Sequence, residues 1–183
     1  TLNISFYRMV IMKLNPTSQK FILHWGEMGS QLGVNRTVAQ IHALLFIVAR
    51  PMHAEEIAET LNVARSNVSN SIKELQSWKL VHIEHQLGDR RDYFTTSGDI
   101  WNLFRAICEE RQRREIEPTL AFLAELIQTQ EFAQESETVQ QRIRNTHDFV
   151  DTLTTWSKEM LKLPTVTLAK ILKKGAKIQK LLN

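Results

Sequence analysis

The chain has 183 residues, 43% hydrophobic and 23% charged, which excludes a disordered chain and allows one large domain or a small domain with an oligomerisation region. A net charge of +3 excludes a globally basic protein, because six lysines and no acids fall between Lys162 and Asn183 while the remainder is slightly acidic. The single cysteine, Cys108, excludes an intrachain disulfide and points to a reducing, cytoplasmic compartment, and no apolar run approaches the ~20 residues of a membrane span.

Residues 1–16, "TLNISFYRMVIMKLNP", read as a loose N-terminal extension, with a natural start expected at Met12, rather than as a signal peptide, since no small-residue cleavage site follows the apolar stretch. From Thr17 to Leu32 an apolar stripe of Phe21, Trp25, Met28 and Leu32 predicts a helix. Gly26 and Gly29 inside it cost about 1 kcal/mol each relative to alanine, which suggests a close helix approach or room for a ligand. Gly33 follows as its C-cap. Thr37 to Gln40 has capping-box spacing and opens a second helix with Ile41, Leu44, Leu45 and Val48 buried and Pro51 ending it. A short third helix runs from about Ala54 to Leu61.

The next helix is unusual. In "NVARSNVSNSIKELQSWKLV" one face carries Val68, Ile72 and Leu75, but Ser66, Asn67, Ser69, Asn70 and Ser71 crowd the rest. Short Ser and Asn side chains compete for backbone hydrogen bonds and cost roughly 2–3 kcal/mol together in a helix. After Leu80 the period alternates, so Val81 to Thr96 reads as a β-hairpin with a charged tip at Gly88-Asp89-Arg90. Helical period then returns over about Asp99 to Ile116, Pro118 to Gln130 and Ser136 to Leu163, with Pro164 breaking it before a final basic helix. In the long helix Val139, Ile143, Val150, Leu153 and Met160, widened by Phe149 and Trp156, form a stripe that wants a partner from its own chain or a second subunit.

Three helices, a polar-faced helix and a hairpin are the element order of a winged helix-turn-helix. The fold is therefore expected to be mainly α with a small β-hairpin wing. It divides into the extension 1–16, a DNA-binding domain 17–97, a helical dimerisation region 98–163 and a basic amphipathic helix 164–183. Asn62 suits a left-handed turn before the polar helix. The exposed face of that helix, Arg65, Ser66, Asn67, Ser69, Asn70 and Lys73, offers what a major groove requires: a fork donor for guanine, an amide for adenine, and hydroxyls for bases or phosphates. At the wing, Asp89 orients one of Arg90 and Arg91 while the other, Arg90, reaches the minor groove.

The strings "LHWGEMGSQLGVNRTVAQIHALLF", "AEEIAETLNVARSNVSNSIKELQSWKLV", "LGDRRDYF" and "RQRREIEPTLAFL" resemble the GbsR/MarR-type transcriptional regulators over about Leu14 to Leu182. The resemblance implies a homodimeric winged-helix regulator, often a repressor, dimerising through N- and C-terminal helices. Its recognition-helix region falls on Arg65 to Lys73 and its wing on Leu87 to Tyr93. Two positions depart from the family pattern: Ala64 stands where Ser or Thr usually caps the recognition helix, and Lys79 where a glycine commonly ends it.

Other chemistries find less support. His82 and His85 face opposite sides of a strand, and no His, Cys or carboxylate cluster has metal-ligand spacing, so neither metal nor cofactor is expected. Cys108 lies on an apolar helix face without a resolving cysteine, as a packed thiol would. No phosphate loop or catalytic signature appears, which argues against an enzyme. A small-molecule effector fits better, with Trp25, Trp101 and Trp156 as candidate pocket residues; some relatives in the resembled group respond to choline. The last segment sets Leu168, Ile171, Leu172, Ile178 and Leu181 opposite Lys170, Lys173, Lys174, Lys177 and Lys180, and reads as a surface helix with a solvated lysine face. The rival reading of the whole is a helical dimerisation adaptor whose winged helix binds protein.

Overall fold

The computed structural model describes residues 14–175. The extension expected over residues 1–13, and Lys177, Ile178, Lys180 and Leu181 of the expected basic helix, lie outside the described residues. The chain forms two compact units that divide after Ala106.

In the first unit, α1 (Pro16–Gln31) begins with Pro16 at its first position and Asn15 as N-cap, whose Oδ1 accepts from Ser18 N at 2.8 Å. It packs on α2 (Arg36–Val48). The glycines prove to serve a close helix approach: a Cβ on Gly29 would stand 2.6 Å from Ala39 Cβ, and one on Gly26 would stand 2.6 Å from Gln40 Cγ. The cap of α2 corrects the sequence reading. Asn35, not Thr37, is the N-cap, its Oδ1 accepting from Thr37 N at 2.8 Å and Val38 N at 3.4 Å. Asn caps at least as well as Thr, and two residues earlier it lets Thr37 become helical. The helix also stops before Pro51, at Val48, because Ala49 adopts the left-handed conformation with φ 53°.

A two-residue strand, β1 (Met52–His53), leads into α3 (Ala54–Leu61), and Asn62 takes the expected left-handed turn with φ 52°. Then come α4 (Arg65–Ser77), β2 (Val81–His85) and β3 (Asp92–Thr96). The sheet has three antiparallel strands in the order β1-β3-β2, not a lone hairpin, with Met52 opposite Phe94 and Ile83 opposite Phe94 on its other side. Two residues are too few to show alternation, so β1 left no mark in the sequence pattern. Val38, Ile41, Leu44, Leu45, Met52, Ile57, Val68 and Leu75 are almost wholly excluded from solvent and form the core beneath α4. Each contributes roughly 1.5–3 kcal/mol of burial.

The boundary between the units falls inside α5 (Ile100–Arg111). In the second unit a π-helical turn (Gln112–Ile116) joins α5 directly to α6 (Glu117–Ile127). The break expected between Ile116 and Pro118 is thus absent: a wider turn accommodates the missing N–H and the ring of Pro118 without ending the helix. A short α7 (Gln130–Gln134), capped by Thr129, was hidden in the expected Pro118–Gln130 helix and its loop. It buries Phe132, over whose ring Arg144 sits at 4.9 Å. Ser136 caps the 26-residue α8 (Glu137–Lys162), which packs on α6 and is tied to it by Lys158 Nζ to Glu117 Oε1 at 2.8 Å. Leu163 and Pro164 separate it from α9 (Thr165–Gly175), which buries Leu168. The apolar stripe of α8 is not fully covered among the described residues: Phe149 is 67%, Leu153 49% and Trp156 56% exposed.

Candidate nucleic-acid interface

The face of α4 opposite the core is made of the residues expected to read bases. Val68, Ser71, Ile72 and Leu75 are buried, whereas Arg65, Ser66, Asn67, Asn70 and Lys73 are exposed and Ser69 is half-buried. Ser71 thus belongs to the packed side, where a small residue admits the neighbouring helix. A polar notch of about 220 Å3, lined by Asn35, Thr37, Asn67, Asn70, Ser71 and Glu74, lies between the start of α2 and the middle of α4. Ala64, the N-cap, makes no side-chain capping bond, and Lys79 beyond the other end has φ 58°. Both helix ends therefore lack the residue that would stabilise them most.

Arg65 is held without being hidden. Its Nε donates to Glu55 Oε1 on α3 at 2.8 Å, and its Nη1 donates to Ser69 Oγ one turn on, while half of its side chain stays in solvent. This leaves the outer edge of a five-donor fork free for an acceptor pair. The guanidinium of Arg65, helped by the backbone and by His53, holds the Glu55 carboxyl down at about 2.

At the wing tip the two arginines have different surroundings. Asp89 accepts from Arg91 Nε at 3.0 Å, from Arg91 N at 2.9 Å and from Tyr93 Oη at 2.8 Å. Arg91 also donates to Tyr93 Oη and to His53 Nε2, both at 3.0 Å, and lies 5.6 Å from the Tyr93 ring centre. Arg91 therefore holds the Asp89 carboxyl well below the usual carboxylate range, and Asp89 in turn raises the Arg91 guanidinium above its ordinary value. Most of the donors of Arg91 are spent inside the wing. Arg90 is exposed and, like Lys73, has no ion pair among the described residues.

Two residues of this interface were not singled out in the sequence: His53 and Tyr93. His53 is 5% exposed, occupies the N-cap position of α3, and lies between Arg91 and Glu55. Its partner Arg91 is 38 positions away, so local spacing carried no signal of it.

The three tryptophans are not brought into one cage. Trp25 stacks on Phe21 with ring centres 5.3 Å apart and lines an apolar cavity of about 210 Å3 with Phe21, His42, Ala43, Phe46, Ile100 and Leu103. Trp101 packs edge-on against Phe104 and does not line that cavity. Trp156 belongs to the second unit and is exposed. His42, 3% exposed, is held neutral by burial, which pulls it down to about 4. Thr96 Oγ1 donates to Leu80 O and so accepts from His42 Nε2, leaving Nδ1 an acceptor without a partner among the described residues. Cys108 is half-buried, and burial pushes its thiol up. No group of three or more His, Cys, Asp or Glu residues that could hold a metal occurs among the described residues, and none of their helices is long and apolar enough to cross a membrane.

A buried three-helix core, a polar-faced second helix of the turn and a basic-tipped wing define the class: a winged helix-turn-helix domain. Residues 32–92, a third of the chain, match the model of the MarR family. No curated protein matches the chain. Among solved structures, one described as a transcriptional regulator aligns with a TM-score of 0.62 at 16% identity, covering 80% of this chain and 96% of its own, a likeness of fold. A mutant of S. aureus MepR bound to an oligodeoxyribonucleotide aligns more loosely, with a TM-score of 0.38 at 19% identity over 75% of this chain and 92% of its own. The S. aureus MepR–DNA complex gives 0.37 at 18% identity over the same shares.

Proposed function

We propose that the chain is a sequence-specific DNA-binding transcriptional regulator of the GbsR-like kind, acting as a homodimeric repressor on a pseudo-palindromic site. The observation that carries this reading is the division of α4. Its apolar side is sealed into the core, and Arg65, Ser66, Asn67, Ser69, Asn70 and Lys73 stand on the open side, with Arg90 exposed at the wing. Arg65 supplies a fork for guanine, and Asn67 or Asn70 an amide for adenine. Lys73 and Arg90 supply phosphate or minor-groove contacts. The exposed Phe149–Leu153–Trp156 stripe supports pairing with a second copy. The apolar cavity beside Trp25 offers a place for a small effector, one with a flat or apolar body given its aromatic walls.

The test is binding to sheared genomic DNA at two salt concentrations, with the bound fragments recovered and sequenced. A dimeric reader enriches one motif whose half-sites lie one helical turn, about 34–36 Å, apart. Its affinity falls steeply with salt as counterions are released. Salt-insensitive retention without a motif would point to a protein partner instead.

A further inference from the structure

We propose that His53 is a positioning residue that joins the wing to the recognition helix through a single ring tautomer, so that the hold of Arg91 on the wing is coupled to the placement of Arg65 on the DNA-facing helix. The inference rests on the DNA-binding reading above only for its last clause; the coupling itself is a property of the free protein.

The chain of contacts is continuous. Asp89 grips Arg91 at the wing tip, and Arg91 Nη1 donates to His53 Nε2 at 3.0 Å. His53 Nδ1 lies 3.1 Å from Glu55 Oε2, and the other oxygen of the same carboxylate accepts from Arg65 Nε at 2.8 Å. Arg65 then reaches Ser69 on the exposed face of α4. A guanidinium can only donate, so Nε2 must carry a lone pair, and in the neutral ring Nδ1 carries the proton. That proton has an ionised carboxylate as its acceptor. In that tautomer Nδ1 has no lone pair for the backbone N–H of Glu56, 3.3 Å away, so the ring gives up the helix-capping bond in favour of the Glu55 carboxylate. One tautomer thus satisfies a donor from the wing and an acceptor that anchors the recognition helix. The Tyr93 ring stands nearly perpendicular to the imidazole with centres 5.6 Å apart. With His53 only 5% exposed, water cannot easily substitute for either partner.

The alternative is that His53 only caps α3, a role that asparagine fills well. His53→Asn therefore separates the two. Asn keeps an acceptor for Glu56 N–H and should leave the melting temperature near that of the wild type, but it does not reach Arg91. Three readouts are compared. In the free wild-type protein, long-range proton–nitrogen spectra of the imidazole should show the proton on Nδ1; a proton on Nε2 overturns the proposal whatever the variants do. Still without DNA, Arg91→Ala should shift the Arg65 Nε–H resonance in the wild-type background and leave it in place in the His53→Asn background.

With the duplex recovered from genomic DNA, the combined affinity loss of Arg65→Ala and Arg91→Ala should fall about tenfold short of the product of the single losses. In the His53→Asn background it should equal that product within about twofold. Equal non-additivity in both backgrounds would overturn the coupling. If the first two readouts hold and no duplex is bound, the coupling stands and the DNA reading fails.

Discussion

At residue scale the interface depends on how each cation is held. Arg65 is anchored at one edge and open at the other, Arg91 is spent inside the wing, and Arg90 and Lys73 are unpaired among the described residues. Their loss should therefore look different. Arg90→Ala should weaken binding to all sequences alike and lower the salt slope by about one, as measured by titrating affinity against salt. His42 provides a second test at this scale. Its native value near 4, against 6.5 in the unfolded chain, means that the unfolded state binds the extra proton first. The stabilisation is full above pH 6.5 and is lost as pH falls toward 4, by about 3 kcal/mol in all. Urea midpoints of wild type and His42→Phe across that window measure it: the wild type should lose stability there and the variant should not. Glu55, held low, acts in a separate window. Its contribution is present above about 4.5 and fades as pH falls toward 2, so the two are distinguishable.

At the scale of elements, helix ends and helix contacts are the adjustable parts. Ala64 has the extended backbone of an N-cap, φ −63° and ψ 140°, but no oxygen to offer. Ala64→Ser should stabilise the domain by about 1 kcal/mol in thermal unfolding. Gly29→Ala should do the reverse. The helix-propensity gain of about 1 kcal/mol is outweighed where the new methyl meets Ala39 Cβ, an overpacking that costs about 1–3 kcal/mol. Adding Ala39→Gly should recover most of that loss, which chemical denaturation of the pair would show.

These elements also mark how far the sequence was legible. The α3 boundaries, the hairpin and the left-handed Asn62 followed from periodicity and turn chemistry, because their determinants lie within a few residues. The cap at Asn35 was missed because Thr37 mimics a capping box two residues later. β1 was missed because two residues have no period, and the π turn because proline normally ends a helix. At the site, the polar face of α4 could be read from composition, and so could the basic wing tip. The His53 link could not, since it exists only once β1, α3 and the wing are brought together.

At the scale of the whole molecule, the second unit leaves Phe149, Leu153 and Trp156 open on one side of α8. If a second copy covers them, Trp156→Asp should shift the protein toward monomer in sedimentation velocity and weaken binding to a two-half-site duplex far more than to a single half-site. An unchanged mass would remove this face from the assembly. The central claim is that α4 reads base sequence, and one measurement tests it most directly. Genomic fragments bound by wild type, Arg65→Ala and Arg90→Ala are selected and sequenced side by side at two salt concentrations. A reading helix predicts one palindromic motif for wild type, the same motif with weaker binding for Arg90→Ala, and loss of preference at one base pair, about 1–3 kcal/mol, for Arg65→Ala. Recovery of the same motif with undiminished preference by Arg65→Ala, or of no motif by any of the three, would contradict it.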